Sequence, residues 1–266
     1  MTAVEIDLIP SKKAARFDYE TIETGYYDRV FQRRAGIQSI WHHHKFAHVR
    51  ALMGRATHHL DIACGPGTFI GTVEGNVVST GVDIAESQID YARATYGSDQ
   101  RKFDVIMPGN LPYENGAFDV ATCIELLEHL TLADGRALLV EAGRVIRPGG
   151  TLLLTTPDYG GAWPVLEWIR NGVGPLSYED QHITRYTQSS LKLVLEQAGF
   201  QNISVERYLF LSPFVAPLGW AAADWFARIE PRWLTSRLGF LLCAIATPGP
   251  AGAELELSDP TVTHRT

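Results

Sequence analysis

Cysteine is scarce in this chain: three in 266 residues (Cys64, Cys123 and Cys243), with no CxxC spacing among them. That excludes a disulfide framework and a structural zinc site, and it fits a reducing, cytoplasmic setting. Positive charge is also short. Lys and Arg number 23 against 30 Asp and Glu, a formal charge of −7. Broad, non-specific nucleic-acid binding is thereby excluded, and no nucleic-acid partner is expected. Long apolar runs are missing too. A membrane span needs roughly 20 uninterrupted apolar residues. The most apolar stretch, Leu209 to Thr247, is broken by Pro213, Pro217, Asp224, Arg228, Glu230, Arg232 and Arg237. The opening MTAVEIDLIPSKKAARF lacks the apolar core of a secretory leader. No internal repeat is visible.

What remains is an ordinary globular composition, 45% hydrophobic and 20% charged, enough to bury a full core without staples. Residues 1–16 read as a flexible arm and 249–266 as a disordered tail. Between them strand-like and helix-like segments alternate. His58–Ala63, Asn76–Val82, Phe103–Ile106, Phe118–Ile124 and Thr151–Thr156 are short apolar or β-branched runs. Ala85–Tyr96 and Ala133–Ile146 carry helical spacing, the latter with a stripe of Leu138, Leu139, Ala142 and Val145. Pro148-Gly149-Gly150 is expected to break that helix before the fifth strand. Such alternation implies an α/β fold with a mostly parallel sheet covered on both faces. Ligands of such sheets bind beyond the carboxyl ends of the strands, where the strand order reverses.

The residues after each strand are therefore the informative ones. The first strand runs into Asp61-Ile62-Ala63-Cys64-Gly65-Pro66-Gly67, a tight turn in which Gly65 and Gly67 permit close approach of a ligand to the backbone. The second strand ends at Asp83, placed to hold two ribose hydroxyls with one carboxylate. A dinucleotide fold would call for a third glycine for close helix packing, where Phe69 and Ile70 stand instead.

HLDIACGPG, GVDIAESQIDYAR, FDVATCIELLEHL and RVIRPGGTLLLTTP, in that order, resemble the class I S-adenosylmethionine-dependent methyltransferases across about His44 to Phe200. The resemblance implies a Rossmann-like sheet of seven strands with the last antiparallel, Asn202–Leu211 and Leu238–Thr247 being the sixth and seventh. It implies a single domain over 17–248: a helical cap (17–56, with helices over Tyr19–Ile40), a cofactor-binding core (57–157) and an acceptor-side half (158–248). A Trp-rich helical insert would separate the last two strands. It further implies that Asp61, Ala63, Gly65 and Gly67 cradle the methionine end of S-adenosylmethionine, that Asp83 takes the ribose, that Ile84 packs on the adenine, and that Ile124 lies along the cofactor. Two positions depart from the family pattern. Ala63 stands where glycine is usual, and Met107 stands where an Asp often meets the adenine amino group.

Glu125, Glu128 and His129 follow the fourth strand. On a helical turn they would share one face, Glu125 meeting Glu128 at i,i+3 and His129 at i,i+4. Oxygen donors with one imidazole suit Mg²⁺, Mn²⁺ or Zn²⁺, and His182 is a candidate fourth ligand. This ExxEH…H pattern is similar to that of ubiquinone-pathway O-methyltransferases and small-RNA 2′-O-methyltransferases, which implies metal-assisted O-methylation with Glu128, His129 and His182 at the reacting hydroxyl. The same residues also suit a metal-free N- or C-methyltransferase with His129 as base, and the fold alone would suit an inactive cofactor-binding scaffold. Likeness to the ubiquinone-pathway enzymes nominates Lys45, with His44 behind it, to hold the cofactor carboxylate. Trp163, Trp168, Tyr178 and Tyr186 point to a hydrophobic or aromatic small-molecule acceptor. Trp220, Trp225 and Trp233 leave peripheral membrane contact through residues 211–236 open. Nothing in the composition fixes an oligomeric state.

Overall fold

The computed structural model describes residues 23–107, 109–173 and 182–250, with the side chains of 170–173 excepted. The expected arm at 1–16, and all but the first two residues of the expected tail, lie outside these. The described residues form one seven-stranded sheet built from β1 (His58–Ile62), β2 (Val78–Asp83), β3 (Arg101–Val105), β4 (Phe118–Ile124), β5 (Ile146–Pro157), β6 (Phe200–Tyr208) and β7 (Leu241–Pro248), in the order β3-β2-β1-β4-β5-β7-β6. β1 to β5 pair in parallel, and β7 inserts antiparallel between β5 and β6. The seven-stranded sheet with its antiparallel last strand is the architecture the resemblance implied. The strand order reverses between β1 and β4, so the ligand crevice opens there.

Helices α1 (Tyr26–Gln32), α2 (Gly36–Leu52), α3 (Thr68–Gly71), α4 (Glu86–Tyr96), α5 (Leu132–Val145), α6 (Trp163–Val173), α7 (Gln188–Gln197), α8 (Trp220–Ile229) and α9 (Arg232–Leu238) surround the sheet. α5 starts where the Thr131 hydroxyl caps the Asp134 N–H, a bond that satisfies one orphan donor of the first turn. It buries Leu138, Leu139, Ala142 and Val145, the stripe read from its spacing, in the main core with α7 and the odd-even face of Leu60, Ala121, Leu152 and Leu154. α2 covers the opposite face, with Val49, Met53 and Phe69 on Val120 and Leu153.

Three boundaries differ from expectation for identifiable reasons. The second cap helix runs past Ile40: the chain breaks at Arg34, in a left-handed conformation (φ +49°), and α2 continues through the histidine cluster to Leu52. β5 begins at Ile146 rather than Thr151, because residues 147–150, with Gly149 at φ +78°, bulge out between the Phe118↔Ile146 and Val120↔Thr151 pairs. The Leu209–Leu211 and Leu238–Phe240 ends leave the ladder, where Leu209, Phe210 and Phe240 pack with Tyr159, Trp163 and Tyr208 in a second apolar cluster.

Candidate active site

The crevice is opened by two residues in matching positions. Ala63 follows β1 with φ +60°, and Glu125 follows β4 with φ +54°. Both are left-handed, a conformation that costs an L-residue roughly 1–2 kcal/mol. The chain therefore turns away from the β1–β4 boundary on both sides, while Cys64 N–H still bonds Val82 O and Glu125 N–H bonds Thr155 O. The position where glycine is usual is thus one where a Cβ strains the backbone.

On the β1–β2 side the polar groups are held mostly by main chain. Asp83 accepts the Gly65 N–H at 2.8 Å and the Ala85 N–H at 3.0 Å, tying the glycine turn to the end of β2. A Cβ on Gly67 would lie 2.8 Å from the Phe103 ring and 2.9 Å from Ala92 Cβ. That glycine is needed for the turn to seat against α4 and β3. Asp61 is buried, and Thr122 Oγ1–H donates to it at 2.5 Å. Behind Thr122 stands His59, its Nε2 2.8 Å from the same hydroxyl and its Nδ1 3.2 Å from Ser79. Burial pushes the Asp61 pKa up to about 7 and the His59 pKa down to about 3, so His59 is neutral. Ile84 is exposed at the β2 end. Met107 is 76% exposed, its side chain in solvent rather than against a pocket, and neighbouring Pro108 lies outside the described residues.

On the β4 side a short 3-10 turn, Leu127–His129, follows Glu125. Glu128 is buried; it accepts Thr156 Oγ1–H at 2.9 Å, and its carbonyl takes the N–H groups of Ile183 and Thr184 at 2.7 and 3.0 Å. These last bonds bring His182 to the site across more than fifty residues of chain. Glu128, His129 and His182 each offer a ligand atom, all within 4.8 Å of one another. Burial pushes the Glu128 pKa up to about 7, with His182 opposing and Glu125 adding to the rise. His182 Nδ1 lies 2.7 Å from Tyr159 Oη and 3.2 Å from Glu167 Oε1, and Tyr159 O–H donates to the same Glu167 oxygen at 2.8 Å. With the tyrosine proton on Glu167, His182 Nδ1–H faces the tyrosine oxygen and the carboxylate together. Burial alone would raise the Glu167 pKa, but hydrogen bonds from His182 and Tyr159 outweigh it and the carboxyl lies below its ordinary range.

Several expectations are corrected. Glu125 does not share a face with Glu128 and His129, because the left-handed bend sends it to Lys45, with which it forms an ion pair. The convergent set holds one carboxylate and two imidazoles, without Glu125. Lys45, buried on α2, accordingly has a resident carboxylate in this structure. His44 faces the insert, bonded to Ser212 Oγ and Asp224. Tyr186 is main core rather than a pocket wall, Trp168 is exposed, and Tyr178 lies outside the described residues. Thr122, Tyr159, Thr156 and Glu167 were missed. Their sequence signal is faint: polar side chains inside apolar strands, and one acid among the apolar residues of α6.

Residues 38–205 match the methyltransferase domain family. The chain belongs to that family. It is a class I S-adenosylmethionine-dependent methyltransferase. The methyltransferase is 26% identical over 176 residues to a ubiquinone biosynthesis O-methyltransferase of Idiomarina loihiensis, covering 61% of this chain and 68% of that one. It is 32% identical over 112 residues to an O-methyltransferase of Penicillium expansum, 40% of each chain. Across the first curated relatives the alignments span between 30% and 68% of the relative's length. Among solved structures, a possible histamine N-methyltransferase of Thermotoga maritima superposes with a TM-score of 0.59 at 19% identity, covering 84% of this methyltransferase and 94% of that chain. A complex of the Haloferax volcanii Trm112 methyltransferase activator with a methyltransferase gives 0.60 at 18% identity, covering 85% and 94%. At these identities the superpositions speak for the fold.

Proposed function

We propose that this methyltransferase moves the methyl group of S-adenosylmethionine to a hydroxyl on a hydrophobic or aromatic small molecule, such as a phenol, quinol, polyketide or lipid-linked sugar. The observation that carries the reading is the convergence of Glu128, His129 and His182 at the carboxyl end of β4. O-methyltransferase relatives support it. In the proposed reaction the hydroxyl loses its proton, its oxygen attacks the sulfonium methyl in line, the carbon–sulfur bond breaks, and the demethylated cofactor leaves as a neutral thioether. Asp83 would hold the ribose, Asp61, Ala63, Gly65 and Gly67 the methionine end, Ile84 the adenine face, and Ile124 the floor beneath the sulfonium. Charge is neutralised in that step, so a water-excluding site favours it.

The donor set fits a divalent ion. One carboxylate and two imidazoles, one of them oriented by a buried carboxylate behind it, suit Mn²⁺ or Zn²⁺ better than the all-oxygen preference of Mg²⁺. An ion bound there would supply Lewis acidity that lowers the hydroxyl pKa. The residues' own part is to orient the acceptor, exclude water, and present the His182 imidazole to the reacting hydroxyl. The Tyr159–Glu167–His182 relay favours a second reading, a metal-free general base in which Glu167 stabilises the protonated imidazole. Turnover on a panel of phenols and quinols after exhaustive chelation separates the two. Loss of activity, restored by Mn²⁺ or Zn²⁺, is the expected result. Full activity after chelation, with Glu167→Gln shifting the pH profile, would assign the base.

A further inference from the structure

Helices α8 and α9, between β6 and β7, bury very little of themselves. α8 has one buried residue, Ala223, and α9 has none. Yet this segment exposes large apolar side chains: Leu218 is 80% exposed, Trp233 63% and Trp225 61%. α6 adds Val165, Trp168 (77% exposed) and Ile169 at i, i+3 and i+4 spacing, one helical face. α6 and α9 are neighbours, since Leu166 and Leu234 pack on the same cluster as Trp163 and Phe240. Both helices therefore border the cluster of Tyr159, Trp163 and Phe240. A folded monomer rarely leaves this much apolar side chain exposed without a use.

Charge says what covers it. The whole chain is −7, but residues 211–238 carry three exposed arginines, Arg228, Arg232 and Arg237, against two acids. The two acids each have a partner, although Asp224 keeps 42% of its side chain exposed. Asp224 is bonded to His44 Nε2 at 2.9 Å, and Glu230 accepts the Leu211 N–H at 2.6 Å. Exposed tryptophans and leucine in the same segment as exposed arginines match the headgroup region of a bilayer, where amphipathic rings and snorkelling guanidinium groups both find partners. An acidic protein with one locally basic, Trp-rich end is complementary to an anionic surface and repelled elsewhere.

We propose that α8, α9 and the exposed face of α6 form a docking surface for an anionic lipid bilayer, into which Leu218, Trp225, Trp233 and Trp168 insert while Arg228, Arg232 and Arg237 meet the phosphates. The docked cleft would open toward the membrane, so its acceptor would be a lipid bearing a free hydroxyl. That last step rests on the proposed function; the docking does not.

Flotation of the full chain with phosphatidylglycerol vesicles and with phosphatidylcholine vesicles tests it without any turnover. Binding to phosphatidylglycerol at least about tenfold above phosphatidylcholine is expected, with tryptophan emission shifting to the blue. Trp225→Ser with Trp233→Ser should lose about tenfold, and Arg228→Gln with Arg232→Gln and Arg237→Gln should erase the preference for anionic lipid. Unchanged affinity for the demethylated cofactor shows that these variants are folded. Equal binding to both lipids would overturn the electrostatic half of the proposal. Failure to float, whether the chain is monomeric or forms a dimer that the tryptophan variants dissociate, would overturn it entirely, and the dimer would assign the face to a second copy.

Discussion

The carboxyl ends of β1 and β2 hold their acid, Asp83, by two backbone N–H groups from within twenty residues. The carboxyl end of β4 holds its acid, Glu128, by a side chain of β5 and completes its donor set with His182 from beyond α6. The first arrangement is set once the strands pair, because main-chain donors have nowhere else to go. The second depends on a relay of side chains, Tyr159, Glu167 and His182, each of which a single substitution can remove. Under the proposed function the cofactor would need only the first arrangement. A particular acceptor would need the second, which is the half that one side chain can retune.

The sharpest way to break this comparison is Glu128→Ala. It should lower kcat by about 10²–10⁴-fold and leave affinity for the demethylated cofactor, read by calorimetry, unchanged. Parallel loss of both would show that the two sides are not separable. Next in size, Asp83→Ala removes two charge-assisted bonds that tie the glycine turn to β2. Cofactor affinity should fall about 100-fold while kcat at saturation changes far less. A fall in kcat to match would mean that the turn also positions the acceptor.

The smallest effect concerns Asp61. Its pKa is raised in the folded state, from 3.8 to about 7, chiefly by burial. The linked stability is fully present below the unfolded value and is lost as pH rises through 7. Thermal unfolding of the ligand-free protein should therefore show wild type losing ground to Asp61→Asn between about pH 4 and pH 8. A pH-independent difference between the two would contradict a carboxyl that stays protonated below neutrality.

Much of the β1–β2 side was legible because its signals are local. The glycine turn, Asp83 and the apolar stripe of α5 each follow from residues a few positions apart, and the sheet follows from their alternation. The β4 side was only half legible. Glu128 and His129 stood out beside the strand, but the turn after it was read as a helical face. The left-handed Glu125 changes the direction of its side chain, and Lys45 supplies a charge that no spacing reveals. Tyr186 and Trp168, equally aromatic in sequence, part company in space: one is sealed in the core, the other stands in solvent. Hydrophobicity ranks residues for burial, but only packing decides which of them finds partners.

By itself, the sequence determined the class of fold, because that rests on periodicity and on backbone bonds that any compact solution must satisfy. The tertiary structure decided which side chains meet: Glu125 with Lys45, Glu128 with His129 and His182, Glu167 behind them, and the tryptophans left facing out. Such contacts join positions tens of residues apart. Their energies depend on burial and on charge partners that exist only once the sheet has closed.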